Sequence, residues 1–144
     1  MKYIFIIAFT CIILTSCNTK NKPIDVRVGE LKELMQQSAQ KWNNADLDGF
    51  MSFYDSAATF MFSTGPVGLD KVKANYEKGF FKDGKPLQQL RFEDIVVRSL
   101  GSDHALLTGK FILYGNNLPE RSGIYSLIFI RRGNSWKILH DHSS

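Results

Sequence analysis

The sequence predicts an α+β fold, helices first and strands after. Two observations carry this. Apolar residues in the first half recur at helical spacing, and the second half is a series of β-rich runs joined by short turns. A length of about 120 residues beyond the first two dozen suits one domain.

The elements follow in order. From Val28 to Trp42 the apolar positions are Val28, Leu31, Leu34, Met35, Ala39 and Trp42, one stripe of a helix, with Glu, Lys and Gln filling the rest. Asn43-Asn44 breaks it. Asp46 is a good N-cap for a second, short helix carrying Leu47, Phe50, Met51, Phe53 and Tyr54, which ends at Asp55-Ser56. Ala57 to Ser63 reads as a strand, Thr64-Gly65-Pro66 as a turn, and Leu69 to Phe81 as a third helix with Leu69, Val72, Tyr76 and Phe80 on one face. Asp83 to Pro86 is a loop. Four strands then follow: Leu90 to Leu100, His104 to Tyr114, Ser122 to Arg132 and Ser135 to His142. The turns between them are short, so they form an antiparallel meander.

Residues 122–132 are apolar on both faces: Ile124, Ile128 and Ile130 on one, Tyr125, Leu127 and Phe129 on the other. Helices cover one face. A second copy of the chain is the economical cover for the other, so a homodimer is expected. The net charge of +4 comes from scattered basic residues, with no basic stripe interleaved with aromatics, which argues against a nucleic-acid partner.

The first residues carry an address. Lys2 is followed by an apolar run, Ile4 to Leu14, too short for the roughly 20 residues that span a bilayer. Leu14-Thr15-Ser16-Cys17 comes next. The arrangement fits a signal peptide and resembles that of bacterial lipoproteins, in which Cys17 would be the lipidated first residue. The expected organisation is a signal peptide over 1–17, a polar tether over 18–27 and a domain over 28–144. Cys11 is then removed and Cys17 carries lipid, so no thiol is left for a disulfide or a metal. The lipid makes the membrane a partner without a spanning helix. By analogy, the non-acidic Asn18 points to the outer membrane of the cell envelope, facing the periplasm.

The chain ends Trp136-Lys137-Ile138-Leu139-His140-Asp141-His142-Ser143-Ser144. Strict alternation along a strand puts His140 and His142 on the face of Trp136 and Ile138, and Asp141 on the opposite face. Histidine exchanges protons near neutrality, so the pair are candidate catalytic acid/base residues. The structural reading comes first: hydrogen-bonded strand-end residues that fasten the C-terminal segment to the helices. Spacing marks no third ligand, so no metal is expected.

Several pieces together resemble the nuclear-transport-factor-2-like superfamily, in its SnoaL-like branch. They are Trp42-Asn43-Asn44-Ala45-Asp46, the run Phe53-Tyr54-Asp55-Ser56-Ala57-Ala58, Gly68 opening the third helix, and the histidine-containing ending. The resemblance implies a cone-shaped domain whose N-terminal helices pack on a curved, mainly antiparallel sheet around a pocket. It implies a lining from Trp42, Tyr54, Phe60, Phe62, Tyr76, Phe80 and Trp136. The superfamily spans enzymes and non-catalytic members, so fold leaves the function open. Ketosteroid isomerase needs a carboxylate base and a tyrosine in its oxyanion hole. Counted without gaps, those positions fall here at Phe62 and Ser38, which cannot do that chemistry. The expectation is an envelope lipoprotein whose pocket binds a small, largely apolar molecule, with no cofactor and no assigned reaction. The alternative is an acid/base enzyme of isomerase, cyclase, dehydratase or hydrolase type using His140 or His142.

Overall fold

The computed structural model describes residues 24–144. The expected signal peptide, the lipidated Cys17 and most of the expected tether lie outside the described residues.

Helix α1 (Ile24–Asn43) buries Leu31, Met35, Ala39 and Trp42, the stripe that the spacing predicts. It starts four residues before that stripe. Its last residue works as a strand partner. The Asn43 side-chain amide donates to the Leu90 carbonyl (2.9 Å) and its carbonyl accepts from the Leu90 N–H (2.7 Å), fixing the helix end to the sheet. The Trp42 indole donates to the Gln88 carbonyl at 3.0 Å beside it. Asp46 caps the short α2 (Leu47–Met51) by accepting from the Gly49 N–H at 2.8 Å. A Cβ at Gly49 would collide with the Asp46 carboxylate, so the cap requires glycine there. Lys41 reaches the same carboxylate at 2.8 Å, and with the Gly49 N–H it holds the Asp46 pKa below the usual carboxyl value.

Strand β1 (Tyr54–Phe62) starts earlier than the sequence suggests, because Phe53 and Tyr54 leave the helix and Tyr54 pairs with Ile138. The segment read as a turn includes a further strand, β2 (Gly65–Gly68), antiparallel to β1. After α3 (Leu69–Phe80) comes a two-stranded hairpin, β3 (Phe81–Lys82) with β4 (Lys85–Pro86), where only a loop was expected. The four long strands are β5 (Gln89–Ser99), β6 (His104–Tyr114), β7 (Arg121–Arg132) and β8 (Ser135–Ser143). They form the predicted meander. The main sheet runs β2-β1-β8-β7-β6-β5, antiparallel except where β1 lies parallel to β8.

The fold is thus α+β, with α1 packed on β5 and α3 on β1 across one face of a curved sheet. Irregularities in pairing bend it. One lies between Glu93 and Val96, where Asp94 takes a left-handed conformation (φ 53°). Another lies in β1 between Tyr54 and Thr59, where Asp55 accepts from the Ala57 N–H (3.0 Å) and from Arg132 Nε (2.7 Å). The third is in β8. Ile138 pairs with Phe129 and His140 with Ile128, so Leu139 is an extra residue. Phe129, Leu107, Leu31 and Val72 sit at the centre of the core, each at most 1 % exposed.

Candidate functional site: an aromatic cavity with a buried carboxyl

The bulge at Leu139 overturns the alternation expected for β8. Trp136 and Ile138 face the helices, and after the extra residue Asp141 does too, 4 % exposed. His140 and His142 turn to the other face of the sheet. His140 Nδ1 lies 2.8 Å from Thr59 Oγ1 there, and His142 is exposed. A strand reads as one alternation only while its ladder is unbroken.

Between the helices and the concave face of the sheet is a cavity of about 420 Å³. Six of the seven residues expected to line it do so: Trp42, Tyr54, Phe60, Phe62, Tyr76 and Phe80. Trp136 does not. It is buried near the start of β8, its indole donating to Glu30 Oε2 of α1 at 3.3 Å. The walls are held by ring contacts. Trp42 meets Phe50 at 5.3 Å and Tyr76 at 5.4 Å edge to face, and Tyr54 meets Phe60 at 4.9 Å with the rings tilted by 34°. Phe92, Phe111, Leu113, Tyr125 and Leu127 extend the lining across β5, β6 and β7.

Asp141 is the only acidic side chain among the described residues of this lining. The Tyr54 hydroxyl donates to Asp141 Oδ2 at 2.9 Å, and the Ser143 hydroxyl donates to Oδ1 at 2.7 Å. Burial pushes the Asp141 pKa above the usual carboxyl value, against the pull of those two hydroxyls and of the nearby histidines. Tyr54 is pushed well up, first by burial, then by the charge of Asp141. Tyr76 and Tyr125 rise for the same two reasons. The phenols therefore stay protonated donors around one carboxyl whose proton is held unusually firmly. Such a group can orient a polar atom or exchange a proton inside a dry pocket. The Tyr125 hydroxyl is buried over Gly109 and finds no hydrogen-bond partner among the described residues.

An open hollow adjoins the cavity at the ends of β1 and β8. It is lined by Met61, Phe62, Ser63, Thr64, Asn75, His142, Ser143 and Ser144, five of which also line the cavity. The rim is fastened by paired backbone bonds between Ser144 and Ile124 (2.9 and 3.0 Å). Among the described residues no three His, Cys, Asp or Glu side chains are grouped so as to hold a metal.

The fold is a cone of helices on a curved sheet around an aromatic cavity. The profile described as a SnoaL-like domain matches residues 31–144. The chain belongs to the SnoaL-like domain family. Solved structures share the fold of this SnoaL-like chain. An NTF-2-like protein of unknown function from Shewanella oneidensis is 24% identical, with TM-score 0.72, covering 82% of this chain and 98% of its own. The association domain of C. elegans CaMKII is 13% identical, with TM-score 0.69, covering 83% and 96%. A protein from Novosphingobium aromaticivorans provisionally assigned as a scytalone dehydratase is 13% identical, with TM-score 0.65, covering 82% and 83%. Among curated proteins none matches the chain. At these identities the likenesses establish fold alone, and the site must speak for the function.

Proposed function

We propose that this SnoaL-like domain binds a small, largely apolar molecule in its cavity, as part of a lipoprotein held in the bacterial cell envelope through lipid on Cys17. The cavity carries the first half of this reading. Among the described residues its wall of rings and aliphatic side chains is interrupted by one carboxyl with its attendant hydroxyls and by the Asn75 carboxamide, the usual composition of a small-molecule pocket. The Lys2 start, the apolar run and Leu14-Thr15-Ser16-Cys17 support the second half. The outer membrane, facing the periplasm, is the proposed location.

Naphthalene added to the purified chain should raise the melting temperature, because a ligand that binds only the folded state stabilises it by mass action. No rise with naphthalene or with a larger apolar probe overturns the cavity reading. Replacing Cys17 with Ser should abolish incorporation of labelled fatty acid; persistent labelling rejects the anchor.

A second copy of the chain is the proposed partner at the convex face of the sheet. Ile124 (68 % exposed) and Val96 (62 % exposed) stand open there beside the half-buried Ile128 and Ile130.

One observation favours a second reading, acid/base catalysis of isomerase, cyclase, dehydratase or hydrolase type. The carboxyl with the raised pKa is inside the cavity and bonded to a phenol. In this reading Asp141 takes the role that the sequence alone gave to His140 or His142, since both histidines lie on the other face of β8. Asp141→Asn should then bind the substrate and fail to turn it over; turnover by that variant would return the role to the histidines.

A further inference from the structure

The ligand itself can be narrowed, resting on the reading of the cavity as a binding site. The cavity and the hollow beside it share five lining residues but differ in chemistry. Inside, rings and aliphatic side chains predominate around Asp141. Outside, Ser63, Thr64, Asn75 and Ser143 bring hydroxyls and a carboxamide to the rim. None of these four side chains carries a charge. Each hydroxyl and the amide can both donate and accept a hydrogen bond. Asn75 lines both spaces from α3, and Ser143 lines both from β8 while donating to Asp141.

From this gradient we infer that the ligand is a neutral amphiphile, with an apolar body in the cavity and a hydroxyl or amide head in the hollow. An anionic head would find no fixed positive side chain among the described residues of the hollow and would lie toward Asp141. Among the described residues a cationic head would find no carboxylate side chain in the hollow, and the nearest, Asp141, already accepts from Tyr54 and Ser143. A head that exchanges one donor and one acceptor with the rim leaves no charge to desolvate.

Binding of 1-decanol, decanoate and decylammonium to the full chain, carried as Cys17→Ser, tests this at pH 8, with naphthalene as the probe that has no head. Decanol should bind about tenfold more tightly than either ion. Ser63→Ala and Thr64→Ala, both at exposed positions that line the hollow and not the cavity, should each weaken decanol about fivefold, the loss of one hydrogen bond. Both should leave naphthalene binding unchanged. Ions that bind as tightly as decanol, or variants that leave decanol unaffected while naphthalene still binds, overturn the head-group assignment alone. Failure of naphthalene and decanol alike overturns the cavity reading beneath it.

Discussion

The two halves of β8 do opposite work with the same backbone. Before Leu139 the strand is ordinary core: Trp136 and Ile138 are each 3 % exposed, and the Trp136 indole bonds to Glu30 of α1. After Leu139 the same face presents Asp141 to an aromatic cavity, bonded to Tyr54 and Ser143. The first half is stabilised by contact area, which grows with each methylene buried. The second half keeps space that side chains could have filled, and a carboxyl that burial penalises. A protein that only needed to fold would have no use for that arrangement, so the contrast marks where function sits.

The largest expected effect attacks the first half. Trp136→Ala removes a buried indole and leaves a gap between β8 and α1, at a cost of about 3–5 kcal/mol. Urea denaturation should show the midpoint falling with the slope preserved. Gly123→Ala comes next, at the rim of the second half. A Cβ there would run into the Ser144 carbonyl and the Phe111 ring, forcing apart the Ser144–Ile124 pairing. The cost should be about 1–3 kcal/mol, the usual range for overpacking. Apolar ligands should lose affinity as well, because Phe111 and Ser144 both line the cavity. If Gly123→Ala lowers stability without touching naphthalene binding, the rim is not part of the site.

Asp141→Asn separates the halves by pH rather than by size. Burial raises the Asp141 pKa in the folded chain above its unfolded value. The folded state therefore holds that proton more tightly, and its contribution to stability is complete below the unfolded carboxyl value of about 4. That contribution is lost as pH rises through the raised folded value. The unsubstituted chain should lose this increment over that window while Asp141→Asn does not, so the two stability curves should diverge upward in pH. Parallel curves would mean that the hydroxyls of Tyr54 and Ser143 fully offset burial. Trp136→Ala should show no such divergence.

The fold was largely legible because its helices and long strands obey simple periods. The stripe from Leu31 to Trp42 predicts α1, and the Gly- and Asn-containing turns separate β5 to β8 within a residue or two. Short pieces were missed for a physical reason. β2 and the β3–β4 hairpin have four and two residues per strand, too few for alternation to register. Six cavity residues were found through the aromatics, which the resemblance already directed inward. Asp141 was not, since a bulge changes which residues share a face and nothing in composition announces one. The one local hint was two apolar residues in succession, Ile138-Leu139, where strict alternation allows one.

The smallest effect probes a residue that belongs to both halves. Tyr125 packs its ring against Phe92 at 5.3 Å and lines the cavity, yet its hydroxyl is buried over Gly109 without a partner among the described residues. A buried hydroxyl that has given up water without replacement weakens the fold instead of supporting it. Tyr125→Phe keeps the ring and removes the orphan oxygen, so it should be neutral or stabilising by up to about 1 kcal/mol. Thermal unfolding would read this as an unchanged or slightly higher midpoint. If instead the midpoint falls, the hydroxyl has a partner in solution, and an ordered water beside Gly109 is the simplest one. The two results assign Tyr125 differently: to the core half of the sheet if the ring is all that matters, to the cavity half if the hydroxyl is.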